Sequence, residues 1–137
     1  GIDGQKMSKS YDNHIELFGA EKETRARIMR IVTDSKGLAD PKDPGKCNVF
    51  ALYRLFASES EVSEQEKRYQ AGGYGYGDAK KLLFERLWTY LAPFRSRRCE
   101  LEKDRAYVDS ILKQGGDRAR AEARKTLNAA RRAIGLD

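Results

Sequence analysis

Between Asp78 and Ala92 the apolar residues Leu83, Phe84, Leu87, Trp88 and Leu91 recur at helical spacing and fill one broad face. A helix with such a face is stable only when other elements cover it, so this stretch predicts a core helix around which the chain packs. Asp78 stands where an N-cap is expected, and Pro93 follows where a ring without a backbone donor must end or kink the helix.

Other segments can supply the cover. Ala20 to Val32 carries Ile28, Ile31 and Val32 at helical spacing, with Glu21 and Glu23 in its first turn and Arg27 and Arg30 in its last, so its charges complement the helix dipole. Asn48 can cap a helix with Val49, Leu52, Tyr53 and Phe56 at i, i+3, i+4 and i+7. Ser63-Glu64-Gln65-Glu66 has capping-box spacing and predicts a helix that stops at Gly72-Gly73. A helix from about Phe94 to Gln114 is expected to turn Leu101, Val108, Ile111 and Leu112 inward and to end at Gly115-Gly116. Asp117 then caps a last helix whose small-residue stripe, Ala119, Ala123, Leu127, Ala130 and Ile134, permits close approach to a neighbour, with Gly135 ending it. The fold class that follows is mainly α, a helical bundle.

The intervening stretches read as connections. Asp34 to Lys46 gathers Asp, Gly, Lys and the two prolines Pro41 and Pro44, and no period survives it. Gly72 to Gly77 holds four glycines and two tyrosines, but no strand precedes it and no Gly-Lys-Ser follows. That makes a poor match to a phosphate-binding loop and favours a tight turn with Tyr74 or Tyr76 packed between helices over a tyrosine stacked on a base. The single histidine, His14, has no cluster of partners and reads as a surface residue. Cys47 and Cys99 lack the spacing of a zinc or redox pair and read as free thiols in a reducing compartment, which points to a cytoplasmic protein. No metal site is expected. With no apolar run near the roughly twenty residues that span a bilayer, no membrane segment is expected either.

Charge is unevenly placed. The net charge is +6, and residues 78 to 137 carry 15 basic and 9 acidic groups while the rest is nearly balanced. A basic helical surface of this kind suits nucleic acid. Arg95, Arg97 and Arg98 lie near the start of a predicted helix, against its dipole, which favours a partner with phosphates.

The chemistry is concentrated in Gly4-Gln5-Lys6-Met7-Ser8-Lys9-Ser10. Two lysines three residues apart among small and flexible neighbours suit a mobile loop. When a nucleoside triphosphate is attacked at its α-phosphorus, negative charge grows on the departing pyrophosphate, and ammonium groups brought there stabilise it. Lysine is a mobile point charge on a long stem, and backbone N–H groups near Ser8 and Ser10 can add donors to phosphate oxygens.

Lys6 to Ser10 reads KMSKS without interruption and resembles the second signature of the class I aminoacyl-tRNA synthetases. Gly1-Ile2-Asp3-Gly4 before it and Tyr11-Asp12-Asn13 after it are similar to the tryptophanyl and tyrosyl branch of that class. Val32-Thr33-Asp34-Ser35, Pro41-Lys42-Asp43-Pro44, Cys47-Asn48-Val49-Phe50, Gly73 to Gly77 with Lys80, and the stretch from Gly115 to Gly135 resemble, in the same order, the bacterial-type tryptophanyl-tRNA synthetases. A first signature of the HIGH type is missing, so the resemblance implies the carboxy-terminal part of a longer protein.

The resemblance further implies an organisation and a function. Residues 1 to 46 would hold the KMSKS loop, a helix and a linker left from the catalytic Rossmann fold, and residues 47 to 137 a helical, anticodon-binding type of domain that contacts tRNA. Lys6 and Lys9 would be catalytic, and Lys6, Met7, Ser8, Lys9 and Ser10 would bind ATP, with Gly1 and Gly4 as hinges. The intact enzyme would use ATP with Mg²⁺, join tryptophan to it as tryptophanyl-adenylate, transfer the amino acid to tRNA(Trp), and be a homodimer. The isolated stretch would be inactive. Two alternatives stay open, a tyrosyl-tRNA synthetase of the archaeal or eukaryotic type and a helical RNA-binding module without chemistry.

Overall fold

The computed structural model describes residues 1 to 136, and its helices are α1 (Glu21–Met29), α2 (Asn48–Tyr53), α3 (Glu59–Ala71), α4 (Tyr76–Tyr90), α5 (Ala92–Lys103) and α6 (Arg105–Ala133). Short 3-10 turns stand at Lys9–Tyr11 and Pro44–Lys46, and among the described residues there is no strand, so the mainly α class expected from the sequence is the one observed. The chain divides into two compact units, Gly1–Pro93 and Phe94–Asp137.

The first unit is built on α4. Leu83, Phe84, Leu87 and Leu91 are buried, and Trp88 lies half-buried with its ring stacked on Phe84 at 5.6 Å. Each such side chain contributes about 1.5–3 kcal/mol relative to exposure. The helix begins at Tyr76 behind Gly75, so Asp78 is not its cap but the acidic residue of its first turn, where it complements the dipole. On this face sit α1 and α2, through Ile28, Ile31, Val49, Phe50 and Tyr53. The core draws on residues from both sides of position 46.

Local chemistry shortens or shifts several predicted elements. Helix α1 stops at Met29 because the Val32 N–H is bonded to the Ile2 carbonyl at 2.7 Å, which an uninterrupted helix would not allow. Val32 is consequently exposed while Ile31 remains buried. At α2 the N-cap is Cys47, and the Asn48 amide instead donates to the Val32 carbonyl at 3.3 Å. That helix ends before Phe56, which packs edge-on against Tyr90 at 5.4 Å. Helix α3 starts one turn earlier than its Ser63 spacing suggested. Ser58 and Glu61 form the capping box, with the Glu61 carboxylate accepting the Ser58 N–H at 2.9 Å and also pairing with Arg86 of α4.

The glycine-rich connection is structural, as its sequence suggested. Gly72 has φ +77° and a Cβ there would lie 2.5 Å from the Ala39 carbonyl oxygen, so glycine is required twice over. Tyr74 and Tyr76 pack against the buried ring of Tyr69, and the Tyr76 hydroxyl donates to Asp34 at 2.7 Å. Tyr69 also receives the weak Sγ–H bond of buried Cys47, so one thiol is in the core while Cys99 is exposed and both are free. The Asp34 to Lys46 connection is organised by the buried Lys42 ammonium, which donates to the carbonyls of Gly37, Leu38 and Asp40.

The second unit departs further from expectation. The helical break falls at Asp104, whose carboxylate accepts the Tyr107 N–H at 2.9 Å and caps α6. Helix α6 then runs through Gly115-Gly116 without interruption, and Asp117, in its interior, pairs with Arg120 instead of capping anything. Two glycines weaken a helix but do not forbid one. Pro93 sits at the second position of α5, where its missing donor costs nothing. Leu101 and Val108 are half-buried, whereas Ile111, Leu112 and the whole stripe from Ala119 to Ile134 are exposed, because no element of this unit packs on them. Gly135, at φ +73°, follows the end of α6 as predicted. In the Arg95 to Arg98 cluster, Arg97 and Arg98 pair with Glu100 and Glu102 one turn on.

Because a Cβ at Gly115 meets nothing within 4 Å, Gly115→Ala is expected to stabilise α6 by about 0.5–1 kcal/mol, read as increased helicity by circular dichroism. A loss of helicity would show that this glycine ends the helix.

Candidate functional site

The segment from Gly1 to Asn13 forms a closed loop in front of α1. It opens with a turn in which the Gly4 N–H bonds the Gly1 carbonyl at 3.1 Å and the Asp3 carboxylate accepts the Gln5 N–H at 3.0 Å. Gly4 takes φ +83°, and a Cβ there would come within 3.0 Å of the Asn48 side chain, so no other residue fits without strain. Lys6 to Ser8 then run without regular structure into the 3-10 turn Lys9–Tyr11, after which Asp12 takes a left-handed conformation at φ 48° and reverses the chain.

Asn13 closes the loop from inside. Only 2% of it is exposed, and its one amide serves three segments. Its Nδ2 donates to both Asp3 carboxylate oxygens at 2.9 and 3.0 Å and to the Lys6 carbonyl at 3.1 Å, while its Oδ1 accepts the Ser8 N–H at 2.7 Å. Its backbone carbonyl accepts the Ile2 N–H at 2.9 Å. From outside, Arg27 of α1 donates to the Asp12 and His14 carbonyls and pairs with the Asp12 carboxylate at 2.5 Å.

Lys6, Met7, Lys9 and Ser10 all face solvent, and Ser8 is half-buried beneath them. Among the described residues neither the Lys6 nor the Lys9 ammonium has a hydrogen-bond or ion-pair partner. Two uncompensated positive charges thus stand on a loop whose ends are fastened and whose tip is open to an anionic ligand.

The electrostatics of the fastening are consistent with its geometry. The Gln5 N–H, and after it the Asn13 amide, hold the Asp3 carboxyl below the usual carboxylate range. The Arg27 guanidinium does the same for Asp12. His14 is half-buried rather than a plain surface residue, with Nε2 3.7 Å from a Glu16 carboxylate oxygen. The described residues contain no cluster of three His, Cys, Asp or Glu side chains able to hold a metal ion, and no helix among them is long and apolar enough to cross a membrane.

All five motif residues are therefore on one exposed loop. Sequence reasoning missed the residues that hold it: Asn13, Asp3, Asp12 and Arg27. The first three were visible only as flanks of the motif, and no periodicity marks an irregular segment held by side-chain hydrogen bonds.

Residues 1–92 match the family model described as tRNA synthetases class I (W and Y), and the chain belongs to that family. Its relatives include a tryptophan-tRNA ligase of Rhodopirellula baltica, 51% identical over 136 residues, and one of Fusobacterium nucleatum, 40% identical over the same length. Each alignment covers 99% of this chain and 42% of the relative, so the chain spans about two fifths of the length of these relatives. In structure it is similar to a tryptophanyl-tRNA synthetase of Campylobacter jejuni crystallised with ADP and tryptophan, with a TM-score of 0.87, 41% identity, and coverage of 99% of this chain and 43% of that one.

A depressed carboxyl stabilises its bonds above the ordinary carboxylate range and loses them as the pH falls through the lowered value. On acidification the Gln5 N–H and Asn13 side-chain amide NMR signals are expected to move together, with a midpoint below that of an aspartate in an unstructured peptide. Asn13 signals that stay fixed while Asp3 titrates would contradict the clasp.

Proposed function

We propose that this chain is the carboxy-terminal part of a tryptophan-tRNA ligase, in which the loop Lys6–Ser10 acts on ATP and the helical part acts on tRNA. The observation that carries the reading is the uninterrupted KMSKS string on an exposed loop with two unpaired ammonium groups. In the intact enzyme ATP, taken with Mg²⁺, would supply the activated phosphate for joining tryptophan as tryptophanyl-adenylate before its transfer to tRNA(Trp). Lys6 and Lys9 would hold the departing pyrophosphate, where their charge is worth more in the transition state than in the ground state. Met7, Ser8 and Ser10 would shape the loop around it, with backbone N–H groups as further donors. No ligand for the magnesium ion is assigned to this chain.

Residues 47 to 137, with their excess of basic side chains, would be the tRNA-binding part, and residues 1 to 46 would contribute the loop to the catalytic half. Homodimerisation and a cytoplasmic location come with this reading. The residues that read the anticodon are not assigned.

The test is amino-acid-dependent exchange between ATP and pyrophosphate, measured on the full-length protein with tryptophan and with tyrosine. Exchange with tryptophan alone is expected. Lys9→Ala should lower it about a hundredfold or more, the loss of roughly 3 kcal/mol that one transition-state contact provides. Residues 1 to 137 by themselves should give none. Exchange with tyrosine, or full activity in Lys9→Ala, would overturn the proposal.

A further inference from the structure

We propose that Asn13, held by Asp3, is a positioning residue for the lysine loop, acting on Lys6 and Lys9 through the backbone between them. This rests on the function proposed for the loop and deepens it. Lys6 and Lys9 flank Ser8, and the Asn13 amide grips the chain at two points within that span: it accepts the Ser8 N–H at 2.7 Å and donates to the Lys6 carbonyl at 3.1 Å. Both stems therefore leave a backbone whose path one side chain sets.

Asparagine suits this task because one planar group both accepts and donates. Aspartate would keep the acceptor for Ser8 and lose the donor for Lys6. It would also place a second carboxylate against Asp3, where the two side chains now meet at 2.9 and 3.0 Å. Burial makes the bonds count, since at 2% exposure little water can replace a lost partner. Asp3 has its own anchor in the Gln5 N–H, so the orientation of the amide is imposed from outside the loop tip. Neither residue belongs to the Lys6–Ser10 string itself. Their effect is to limit where two flexible charges can go, and a loop left free would sample positions in which the ammonium groups miss the pyrophosphate.

The experiment uses the full-length protein and measures tryptophan-dependent exchange between ATP and pyrophosphate, the tryptophan KM and the melting temperature. Asn13→Asp is expected to lower kcat at least tenfold while leaving the tryptophan KM within twofold of the parent. Asp3→Asn, a change at an exposed position that keeps the acceptor for Gln5, is expected to lower kcat in the same direction and remains informative if the first variant does not fold. Combining the two restores a donor–acceptor pair between positions 3 and 13 but not the donor to the Lys6 carbonyl, so kcat should rise above that of Asn13→Asp without passing that of Asp3→Asn. A merely structural role would lower the melting temperature without this split between kcat and the tryptophan KM. Exchange within twofold of the parent in both single variants, with Lys9→Ala inactive, would overturn the positioning role alone. A fall in kcat in Asn13→Asp that the double variant does not relieve, or one accompanied by an equal loss of tryptophan binding, would also overturn it. Full activity in Lys9→Ala would remove the function on which the inference rests.

Discussion

The buried amide of Asn13 is the point at which the lysine loop and the folded body of this chain become one structure. A loop carrying two uncompensated lysines anchors only Ile2 of its side chains in the core, and like charges favour its spreading. Its ends are held also by the hydrogen bonds of one buried side chain: Asn13 to Asp3, Lys6 and Ser8 within the loop, with its own carbonyl accepting the Ile2 N–H at the base. Ile2 is itself in the core and its carbonyl accepts the Val32 N–H just beyond α1. A continuous path of buried contacts thus runs from the helix α4, through α1, to the base of the lysine loop.

That path explains why helix α1 is shorter than its sequence period allows. The residues from Arg30 onward leave the helix so that Ile31 can stay in the core while Val32 reaches back to Ile2. Arg27, in the last turn of α1, adds its bonds to Asp12 from the solvent side. The loop is clasped between a buried neutral amide and a partly exposed guanidinium, and only its tip, Lys6 to Ser10, is left for a ligand.

Much of this was legible in the sequence where apolar periodicity governs. The α4 face from Leu83 to Leu91, the use of Tyr74 and Tyr76 as packing residues, and the αL glycine after α6 follow from spacing and from steric rules that are local. The motif residues stood out as an uninterrupted five-residue string, and the structure places all five on one loop. What escaped was decided by competition between equivalent local signals or by distant partners. The capping box expected at Ser63 is realised instead at Ser58, whose partner Glu61 also meets Arg86 on another helix. Asp117 was expected to cap a helix after Gly115-Gly116, yet a helix tolerates glycine where nothing forces φ positive, and the cap falls at Asp104. Asn13 was visible only as a flank of the motif, and its holding role escaped. Burial of a polar residue in an irregular segment leaves no periodic trace, and only its partners reveal it.

The most direct test of this account is residue-resolved amide hydrogen exchange over Gly1 to Val32. The account predicts slow exchange at Ile2, Ser8 and Val32, whose N–H groups close the buried path, beside fast exchange at Lys6 in the same loop. Exchange at Ser8 as fast as at Lys6 would contradict it, for the Asn13 amide would then not be holding the loop that carries the lysines.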